Sequence, residues 1–261
     1  MSKKVGTPVW VDYGSNNFQA CTEFYQQLFG WRFEDLGADF NSYNLIHCGE
    51  ALVGGLMDVS GMQCPTGGPV PSEWGVFLHV DDLTARTAKA KAAGAEVAME
   101  NMEVGDSGTW SLVVDPTGAP ISLWQPKNLE SYDFVGAPGT PVWFELMTKD
   151  FDAAVAFYRE VFDFDIHMMS DTDEFRYASN GDMDSATAGI CFAPWLGEND
   201  NSYWRVYFGV DGADAAAQKV ASLGGRVTDG PEDSPFGRIV TVLDREGATF
   251  QLCSMSEATG E

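Results

Sequence analysis

The sequence predicts an α+β protein built from two tandem copies of one βαβββ-type module. The first observation is a near-literal internal repeat, because the five residues Gly6–Trp10 recur in the same order at 139–143. The second is the alternation of short strand-like apolar runs with segments whose apolar residues follow helical spacing. Together they indicate two copies of a mixed helix-and-strand unit rather than one large domain.

The repeat continues beyond this first match, in the same order along the chain. Three later pairs of segments also align: 24–29 with 157–162, 74–81 with 204–211, and 115–119 with 244–248. The offset drifts from 133 to 129, so the copies differ by a few loop residues. We therefore expect module 1 at residues 1–127, a linker at 128–138 that contains Gly136 and Pro138, and module 2 at 139–261.

The elements of module 1 follow from periodicity and capping residues. Asn16 or Asn17 is expected to cap the first helix, and Gly94 to end the second in a left-handed conformation. The predicted elements are a strand Pro8–Tyr13, a helix with apolar positions Ala20, Phe24, Tyr25 and Leu28, strands Tyr43–Cys48, Ala51–Met57 and Val76–Val80, a helix Leu83–Ala93, and strands Thr109–Val114 and Ile121–Gln125.

Module 2 repeats this series. Asp150 or Asp152 is expected to cap its first helix, and the pair Gly224 and Gly225 to end its second. The predicted elements are a strand Pro141–Met147, a helix with apolar positions Ala154, Phe157, Tyr158 and Val161, strands Glu174–Ala178, Ala186–Phe192 and Val206–Val210, a helix Ala213–Leu223, and strands Arg238–Leu243 and Thr249–Cys253.

The charge balance excludes some classes of partner. The chain has 39 acidic and 15 basic residues, a formal net charge of -24. No basic footprint for nucleic acid is visible, and anionic membrane surfaces are disfavoured for the same reason. The acidity has two interpretations, a heavily solvated surface or attraction of a cationic ligand, and the even spread of the acids favours the first.

Cysteine usage and the first residues indicate a compartment. Five cysteines are scattered without a CxxC pair, which favours reduced thiols over a disulfide framework. No apolar stretch follows the lysines at positions 3 and 4, so a secretory signal is not expected, and no run of 18 apolar residues predicts a membrane span. We therefore expect a cytoplasmic protein.

The order of elements carries a family resemblance. Each module has Phe-Tyr in its first helix, at 24–25 and 157–158, and Asp-x-x-Gly between its last strands, at 115–118 and 244–247. This pattern resembles the glyoxalase/bleomycin-resistance/extradiol-dioxygenase, or vicinal oxygen chelate, superfamily over essentially the whole chain. The resemblance implies paired, cupped mixed or antiparallel sheets flanked by helices. One chain then builds the pair of modules, so a monomer is sufficient and a homodimer is compatible with the fold.

The resemblance also implies the positions of a metal site, but few of the residues at those positions are metal ligands. In this family the ligands, His and Glu, come from the first strand, the strand before the second helix and the last strand. The matching residues are Asp12, Gly75 and Ser122 in module 1, and Glu145, Arg205 and Gln251 in module 2. Whether the modules pair within themselves or crosswise, no set has more than one strong ligand, whereas about three are needed. We expect no cofactor, with a divalent metal as the less favoured alternative.

The three histidines, His47, His79 and His167, do not restore a ligand set. His79 follows the usual histidine position by four residues and shares a strand face with Gly75. A lone strand histidine is more often a structural residue than a ligand. A histidine-based metal site is therefore the minor interpretation.

Strand alternation instead predicts an aromatic cup with a few polar groups, which is typical of a small-molecule pocket. The tryptophans could equally pack at a module interface. The predicted ligand-binding residues are Trp10, Asp12, Gly75, Ser122, Trp124, Trp143, Glu145, Arg205, Tyr207 and Gln251.

Arg205 is central to the prediction and has two interpretations. It either forms a structural ion pair with Glu145 or Asp12, or it recognises a carboxylate or enolate on the ligand. Under crosswise pairing, a cup with Glu145, Gly75 and Ser122 would hold small residues and one free carboxylate. We expect that cup to be the better candidate, with its carboxylate as a general base or a holder of a cation.

The predicted function is binding of a small aromatic or hydrophobic metabolite, as in the drug-sequestering members of the family, without the usual metal. The alternative is a glyoxalase-, lyase- or hydroxylase-type enzyme. Such an enzyme would use Glu145 or Asp12 as its base, or a metal held by an unrecognised set of ligands. The expected partner is a small molecule in both cases.

Overall fold

The computed structural model describes residues 3–64, 67–133 and 136–258. Within these ranges each module contains two βαβββ runs in succession. Module 1 consists of β1 (Pro8–Ser15), α1 (Phe18–Phe29), β2 (Arg32–Asp35), β3 (Asn44–Cys48), β4 (Ala51–Asp58), β5 (Glu73–His79), α2 (Leu83–Ala92), β6 (Glu96–Val104), β7 (Gly108–Val114) and β8 (Pro120–Pro126).

Module 2 has the same order of elements. It consists of β9 (Pro141–Thr148), α3 (Phe151–Phe162), β10 (His167–Asp171), β11 (Arg176–Ser179), β12 (Gly189–Phe192), β13 (Tyr203–Gly209), α4 (Ala213–Ser222), β14 (Arg226–Ser234), β15 (Gly237–Leu243) and β16 (Thr249–Ser254).

The strands form two eight-stranded mixed sheets, one in each module. Their orders are β2-β3-β4-β1-β5-β8-β7-β6 and β10-β11-β12-β9-β13-β16-β15-β14. The first strand of each module runs parallel to the fourth, which places Asp12 opposite Gly55 and Glu145 opposite Gly189. The α+β class and the tandem modules are thus confirmed.

The sequence did not predict four strands, namely β2, β6, β10 and β14. They occupy the ends of the two sheets, and all of their residues are exposed or half-buried. An edge strand that is covered on neither face needs no regular apolar alternation, so periodicity cannot reveal it. In β14 the pair Gly230 and Pro231 obscures the pattern further.

The helix termini show which of the alternative caps is used. Asn17 caps α1 by accepting a hydrogen bond from the amide of Ala20, and Asp150 caps α3 by accepting one from the amide of Ala153. Gly94 (φ +96°) and Gly224 (φ +87°) adopt the left-handed conformation expected beyond α2 and α4. No described helix is long and apolar enough to span a membrane.

Two compact units cut across the two modules. Unit 1 consists of Met1–Trp10, Gly75–Ser131 and Phe144–Arg205, and unit 2 of Val11–Trp74, Tyr132–Trp143 and Val206–Glu261. Each unit therefore contains strands and one helix from each module, with α2 and α3 in unit 1 and α1 and α4 in unit 2. The core of unit 1 includes Phe157 and Tyr158 of α3, and that of unit 2 includes Phe24 and Tyr25 of α1.

The segment predicted as a linker contributes to the packing of unit 2. Asp133 and Leu52 exchange two hydrogen bonds of 2.9 Å, and Tyr132 is 2% exposed. Residues 134 and 135 of this segment lie outside the described residues. The compact units follow a different division of the chain, so the boundaries of the modules and the linker stay predictions from the sequence.

Candidate functional site

Glu145 and Arg205 form an ion pair in unit 1, with the carboxylate buried and the guanidinium partly exposed. Glu145 lies on β9 and is 4% exposed, and the guanidinium of Arg205 comes from β13. Arg205 donates from Nε and Nη2 to the same oxygen, Glu145 Oε2, at 2.8 and 2.5 Å. Of the two partners that the sequence left open for Arg205, the structure selects Glu145 of its own module.

The expectation of a free Glu145 carboxylate in a crossed set with Gly75 and Ser122 is therefore wrong. Glu145, Gly75 and Ser122 do fall in the same unit, but so does Arg205, which is bonded to the carboxylate. The physical reason is the cost of burial, since a carboxylate at this depth needs a partner of opposite charge. Sequence alternation alone could not rank Glu145 above Asp12 as that partner.

An aromatic and sulfur-containing cluster lies beside the ion pair. Cys191 stands opposite Met147 on the neighbouring strand, and Tyr177 and Tyr203 pack against this cluster. Burial and the nearby carboxylate of Glu145 raise the pKa of the Cys191 thiol to about 12, against an opposing effect of Arg205. A pKa in this range favours the protonated thiol at neutral pH.

A glycine opposite each first-strand carboxylate makes room for a tyrosine. Gly189 faces Glu145, and a Cβ at Gly189 would overlap the hydroxyl of Tyr177. Module 1 repeats the arrangement with different residues: the hydroxyl of Tyr43 donates to Asp12 Oδ1, and a Cβ at Gly55 would overlap that hydroxyl.

Four residues of this arrangement, Tyr43, Gly55, Tyr177 and Gly189, were not predicted from the sequence. A signal was present, because the tyrosine precedes the glycine by twelve residues in both modules. The combination of a carboxylate, a glycine and a phenol is therefore a repeated feature of the fold.

Gln251 and Tyr207 lie side by side in unit 2. They are opposite one another on β16 and β13. Gln251 is 1% exposed, and its amide oxygen and nitrogen lie 3.0 and 2.9 Å from Thr241 Oγ1. Trp143, also of unit 2, is half-buried. The amide of Gln251 is therefore held by a neighbouring strand.

The remaining predicted aromatic residues belong to unit 1 and are closely packed. Trp10 and Trp124 are each 6% exposed, and Trp124 donates from Nε1 to the carbonyl of Leu129 at 3.0 Å. Phe77 stands opposite Ser122, with its ring centroid 5.8 Å from that of Trp110. This burial supports the packing interpretation of Trp10 and Trp124. Their role in ligand binding stays a prediction.

The histidines are separated and do not form a ligand set. His47 pairs with Glu34 at 3.0 Å, and His167 pairs with Asp165 at 3.2 Å. His79 is 8% exposed, burial lowers its pKa, and its Nδ1 has no hydrogen-bond partner among the described residues. His79 is thus a buried strand histidine with one ring nitrogen that makes no hydrogen bond to the described residues.

The residues at the family's metal-ligand positions do not fit a metal. In module 2 the second ligand position, on the strand before the second helix, is Arg205. Its guanidinium is a permanent cation and cannot coordinate a metal ion. In module 1, Gly75 has no side chain and Ser122 offers a weak hydroxyl. Among the residues that the structure describes, no three His, Cys, Asp or Glu side chains are grouped so that they could hold a metal ion.

Two surface cavities lie outside the predicted site residues. One of about 300 Å³ in unit 1 is lined by Lys4, Asp163, Phe164 and neighbouring residues. One of about 250 Å³ in unit 2 lies between the end of α1 and the start of α4, where Ala216 is part of the wall. None of the ten predicted ligand-binding residues contributes to either wall.

Family models match both modules. Residues 9–124 match the glyoxalase-like domain, and residues 140–252 match the Glyoxalase/Bleomycin resistance protein/Dioxygenase superfamily. Together they cover most of the chain, and the chain belongs to this superfamily. The order of elements in the structure agrees with that assignment.

Particular relatives are similar along nearly their full length. The protein named "Putative glyoxylase CFP32" of Mycobacterium tuberculosis is 35% identical over 254 residues, covering 95% of this chain and 94% of that protein. The anthracycline biosynthesis protein DnrV of Streptomyces peucetius is 31% identical over 269 residues, covering 97% of this chain and 94% of DnrV.

Solved structures of enzymes share the fold at low sequence identity. The Mn(II)-bound glyoxalase of Novosphingobium aromaticivorans superposes with a TM-score of 0.64 at 16% identity, covering 98% of this chain and 84% of that one. The 2,3-dioxygenase LapB of Pseudomonas sp. KL28 superposes with a TM-score of 0.65 at 14% identity, covering 97% and 93%. At these identities the likeness concerns the fold alone.

Proposed function

We propose that this protein binds a small aromatic or hydrophobic metabolite beside the Glu145–Arg205 pair, without the metal of its superfamily. The observation that carries the proposal is the guanidinium of Arg205 bonded to Glu145 at two of the family's ligand positions. A fixed cation there provides the positive charge that a metal ion provides in a metal-dependent member. It cannot, however, exchange ligands as a metal ion does.

The surroundings of the pair suit an aromatic ligand that carries an anionic oxygen. A guanidinium binds carboxylates and enolates through its planar set of donors, and it also stacks on aromatic rings. The half-buried Tyr177 on β11 and Tyr203 on β13 pack against the same cluster beside the pair and offer ring faces and hydroxyl groups. The Arg205 side chain is 16% exposed, so the pair is not sealed from the solvent.

The relatives support the same ligand class. DnrV is named for anthracycline biosynthesis, and anthracyclines are fused aromatic ring systems. An aromatic ligand of this kind is compatible with the arginine and tyrosines beside Glu145.

We also propose a cytoplasmic location for this protein. The five cysteines are free thiols, which supports that proposal.

Binding by chelator-treated protein tests the proposal. Fluorescence quenching and calorimetry would be run against a panel of fused aromatic phenols and carboxylates. We expect at least one compound to bind, and the double variant Arg205→Met/Glu145→Met to bind it at least about tenfold more weakly. Replacing both partners avoids an unpaired buried charge, so the variant is expected to remain folded.

Asp12→Asn provides the matched control, because it alters the equivalent carboxylate of module 1. We expect this variant to bind the ligand as tightly as the unaltered protein. If no compound in the panel binds the chelator-treated protein, or if the double variant binds as tightly as the parent, the proposal is wrong.

A second candidate function is an enzymatic one, favoured by the relative that is named a glyoxylase. In such an enzyme Asp12, which accepts a hydrogen bond from Tyr43, or Glu145 would act as the base. Metal analysis of the purified protein, combined with an isomerisation assay on 2-oxoaldehyde–thiol adducts, separates the two proposals. Near-stoichiometric zinc, nickel, manganese or iron with turnover that Asp12→Asn abolishes would replace the binding proposal.

A further inference from the structure

A guanidinium group binds at the C-terminal end of α3 in unit 1. Arg86 of α2 donates from Nη1 to the carbonyl of Val161 at 2.9 Å, from Nη2 to Asp163 at 2.6 Å and from Nε to Asp81 at 2.9 Å. Its side chain is only 13% exposed. A helix C-terminus carries partial negative charge, so a cation is stabilised there. These groups form what we call the guanidinium socket.

The repeat places an equivalent set of residues in unit 2, but without the arginine. Ala216 stands at the position of Arg86, Asp211 at that of Asp81, and Leu28 at that of Val161. The surrounding backbone is also repeated. The amide of Gly6 donates to the carbonyl of His79 at 2.9 Å, and that of Gly139 donates to Gly209 at 2.8 Å.

The place of the missing arginine side chain is a cavity. Its volume is about 250 Å³, and its wall includes Leu28, Phe29, Gly139, Asp211, Ala216 and Lys219. Since one water occupies about 30 Å³ of liquid, this volume accommodates several heavy atoms. By the repeat, Leu28, Asp211 and Lys219 of this wall are the equivalents of Val161, Asp81 and Lys89, which surround Arg86 in the other unit.

Lys219 lies on the wall of the cavity and is exposed, and by the repeat it is not the equivalent of the missing arginine. Its equivalent in unit 1 is Lys89, which lies 3.9 Å from Asp163 while Arg86 also occupies the socket. The ammonium of Lys89 and the guanidinium of Arg86 thus have separate positions in unit 1. By the repeat, Lys219 belongs at the rim of the cavity and leaves the guanidinium position open.

We propose that the unit 2 cavity binds an alkylguanidinium group supplied by a ligand. Asp211 and the C-terminal end of α1 provide the negative groups, and Ala216 provides the space. Gly30 stands where Asp163 does in unit 1, so this socket has one carboxylate fewer and binds its cation reversibly. The net charge of -24 raises the local concentration of cations around the chain.

Titration with N-propylguanidinium tests the proposal, followed by calorimetry or by NMR chemical shifts. We expect saturable binding at one site per chain. Ala216→Arg, which supplies an internal guanidinium, is expected to abolish this binding, and Asp211→Asn to weaken it about tenfold. n-Butylammonium is the control of equal charge without the planar set of donors, and it is expected to bind more weakly.

A variant of the filled socket provides an independent measurement. Arg86→Ala opens the same space in unit 1, so N-propylguanidinium is expected to bind at a second site and to raise the thermal midpoint of this variant more than that of the parent. Because Arg86→Ala is a destabilising change, the Asp211→Asn and Ala216→Arg titrations stand by themselves if it does not fold.

The source of the guanidinium is distinguished by a second titration, with a short peptide that has one internal arginine. Binding of the free ion alone indicates a small metabolite, and binding of the peptide as well indicates the arginine side chain of a partner. Either result supports the proposal if Ala216→Arg blocks it. Absence of saturable binding, equal binding of n-butylammonium, or binding that survives Ala216→Arg would overturn it.

Discussion

At the scale of single residues, the carboxylates on the two first strands differ in their hydrogen-bond partners. Glu145 is paired with Arg205, which lies 60 residues further along the chain. Asp12 accepts a hydrogen bond from Tyr43 instead. Two equivalent positions thus hold the same chemical group with different hydrogen-bond partners.

The family resemblance placed Asp12 and Glu145 at ligand positions, and strand alternation placed them on a face with Trp10 and Trp143, but neither predicted which partner each carboxylate has. The contact of Glu145 with Arg205 depends on the register between the neighbouring strands β9 and β13. The overlap of Tyr177 with a Cβ at Gly189 depends on a side chain that crosses above another strand. Such contacts are long-range in sequence, and a period of two along one strand does not encode them.

Gly189→Ala tests the packing of tyrosine over glycine. The new Cβ would overlap the hydroxyl of Tyr177, so we expect a loss of about 1–3 kcal/mol in the free energy of unfolding. Urea denaturation would measure it. Gly212→Ala is the control, because a Cβ at Gly212 meets nothing within 4 Å and its φ is -153°. Equal stability of Gly189→Ala and the parent would contradict this role of the glycine.

At the scale of elements, the loop aspartates connect the last hairpin of one module to the first helix of the other. In unit 2, Asp244 accepts from the hydroxyls of Tyr13 and Tyr25 at 2.5 and 2.9 Å, and Trp74 donates to Tyr25. In unit 1, Asp115 accepts from Tyr158 at 2.9 Å. These are the Asp-x-x-Gly and Phe-Tyr motifs that first indicated the family, and the structure shows that they bond to one another.

Asp244→Asn tests the cost of burying this carboxylate. Burial raises the pKa of Asp244 above its ordinary 3.8, despite the hydrogen bonds that oppose the shift. A raised folded-state pKa gives a stabilising contribution that is present below the unfolded pKa and is lost as the pH rises through the folded value. We therefore expect the stability of the parent, relative to Asp244→Asn, to fall as the pH rises from about 4 towards neutrality.

Urea midpoints of both proteins across that pH range would measure the effect. Asp115→Asn is the matched variant in unit 1, where burial also raises the aspartate pKa, and its pH trend should have the same sign. A parent that gains stability over Asp244→Asn as the pH rises would show that the hydrogen bonds outweigh desolvation.

Lys149 secures the loop between β12 and β13. Its Nζ donates to the carbonyls of Gly197, Glu198 and Asp200 at 2.8, 2.6 and 2.8 Å. We expect Lys149→Met to accelerate proteolytic cleavage within this loop, with a small change in global stability because the lysine lies near the surface. Lys91→Met, on the exposed side of α2, is the control. Unchanged cleavage in Lys149→Met would show that other contacts hold the loop.

Prediction of the elements succeeded where burial leaves a pattern. The strands that face a core and the helices with caps at Asn17 and Asp150 were recognisable from local residues. The four edge strands were not, because their mostly exposed residues obey no apolar period. Local propensity is weak evidence for such strands, which form because a neighbouring strand offers its backbone.

At the scale of the whole molecule, the excess of acidic residues sets the response to salt. The net charge of -24 implies mutual repulsion in the folded chain, which salt screens. We expect the thermal midpoint to rise when sodium chloride is raised from about 0.01 M to about 1 M. Exposed ion pairs such as Arg176–Asp152 and Arg238–Asp214 are weakened by the same salt, but each contributes little.

Differential scanning fluorimetry would measure this, with tetramethylammonium chloride as the control for ion identity. Both salts should act alike if screening is the cause. A midpoint that is flat or falls with salt would mean that the ion pairs outweigh the general repulsion.

The crossed composition of the units predicts the behaviour of a divided chain. Unit 2 needs Tyr25 from module 1 and Asp244 from module 2, and unit 1 needs Tyr158 and Asp115 in the reverse sense. We expect residues 1–131 and 132–261, produced as separate chains, to fold together when mixed and to fold poorly alone. Circular dichroism of each piece and of the mixture would measure this, and two independently stable pieces would contradict it.

The same crossing has a consequence for descent. Each unit contains segments of both modules, so a single ancestral module would need a second copy of itself to form a unit. We infer that such a module would form a homodimer with two identical halves. After duplication and fusion of its gene, the two halves could change independently of one another. One unit could then keep Arg86 while its counterpart acquired Ala216, and one carboxylate could gain an arginine while the other kept a tyrosine. Inheritance from a symmetric pair would account for the different side chains that one polypeptide carries at equivalent positions of its repeat.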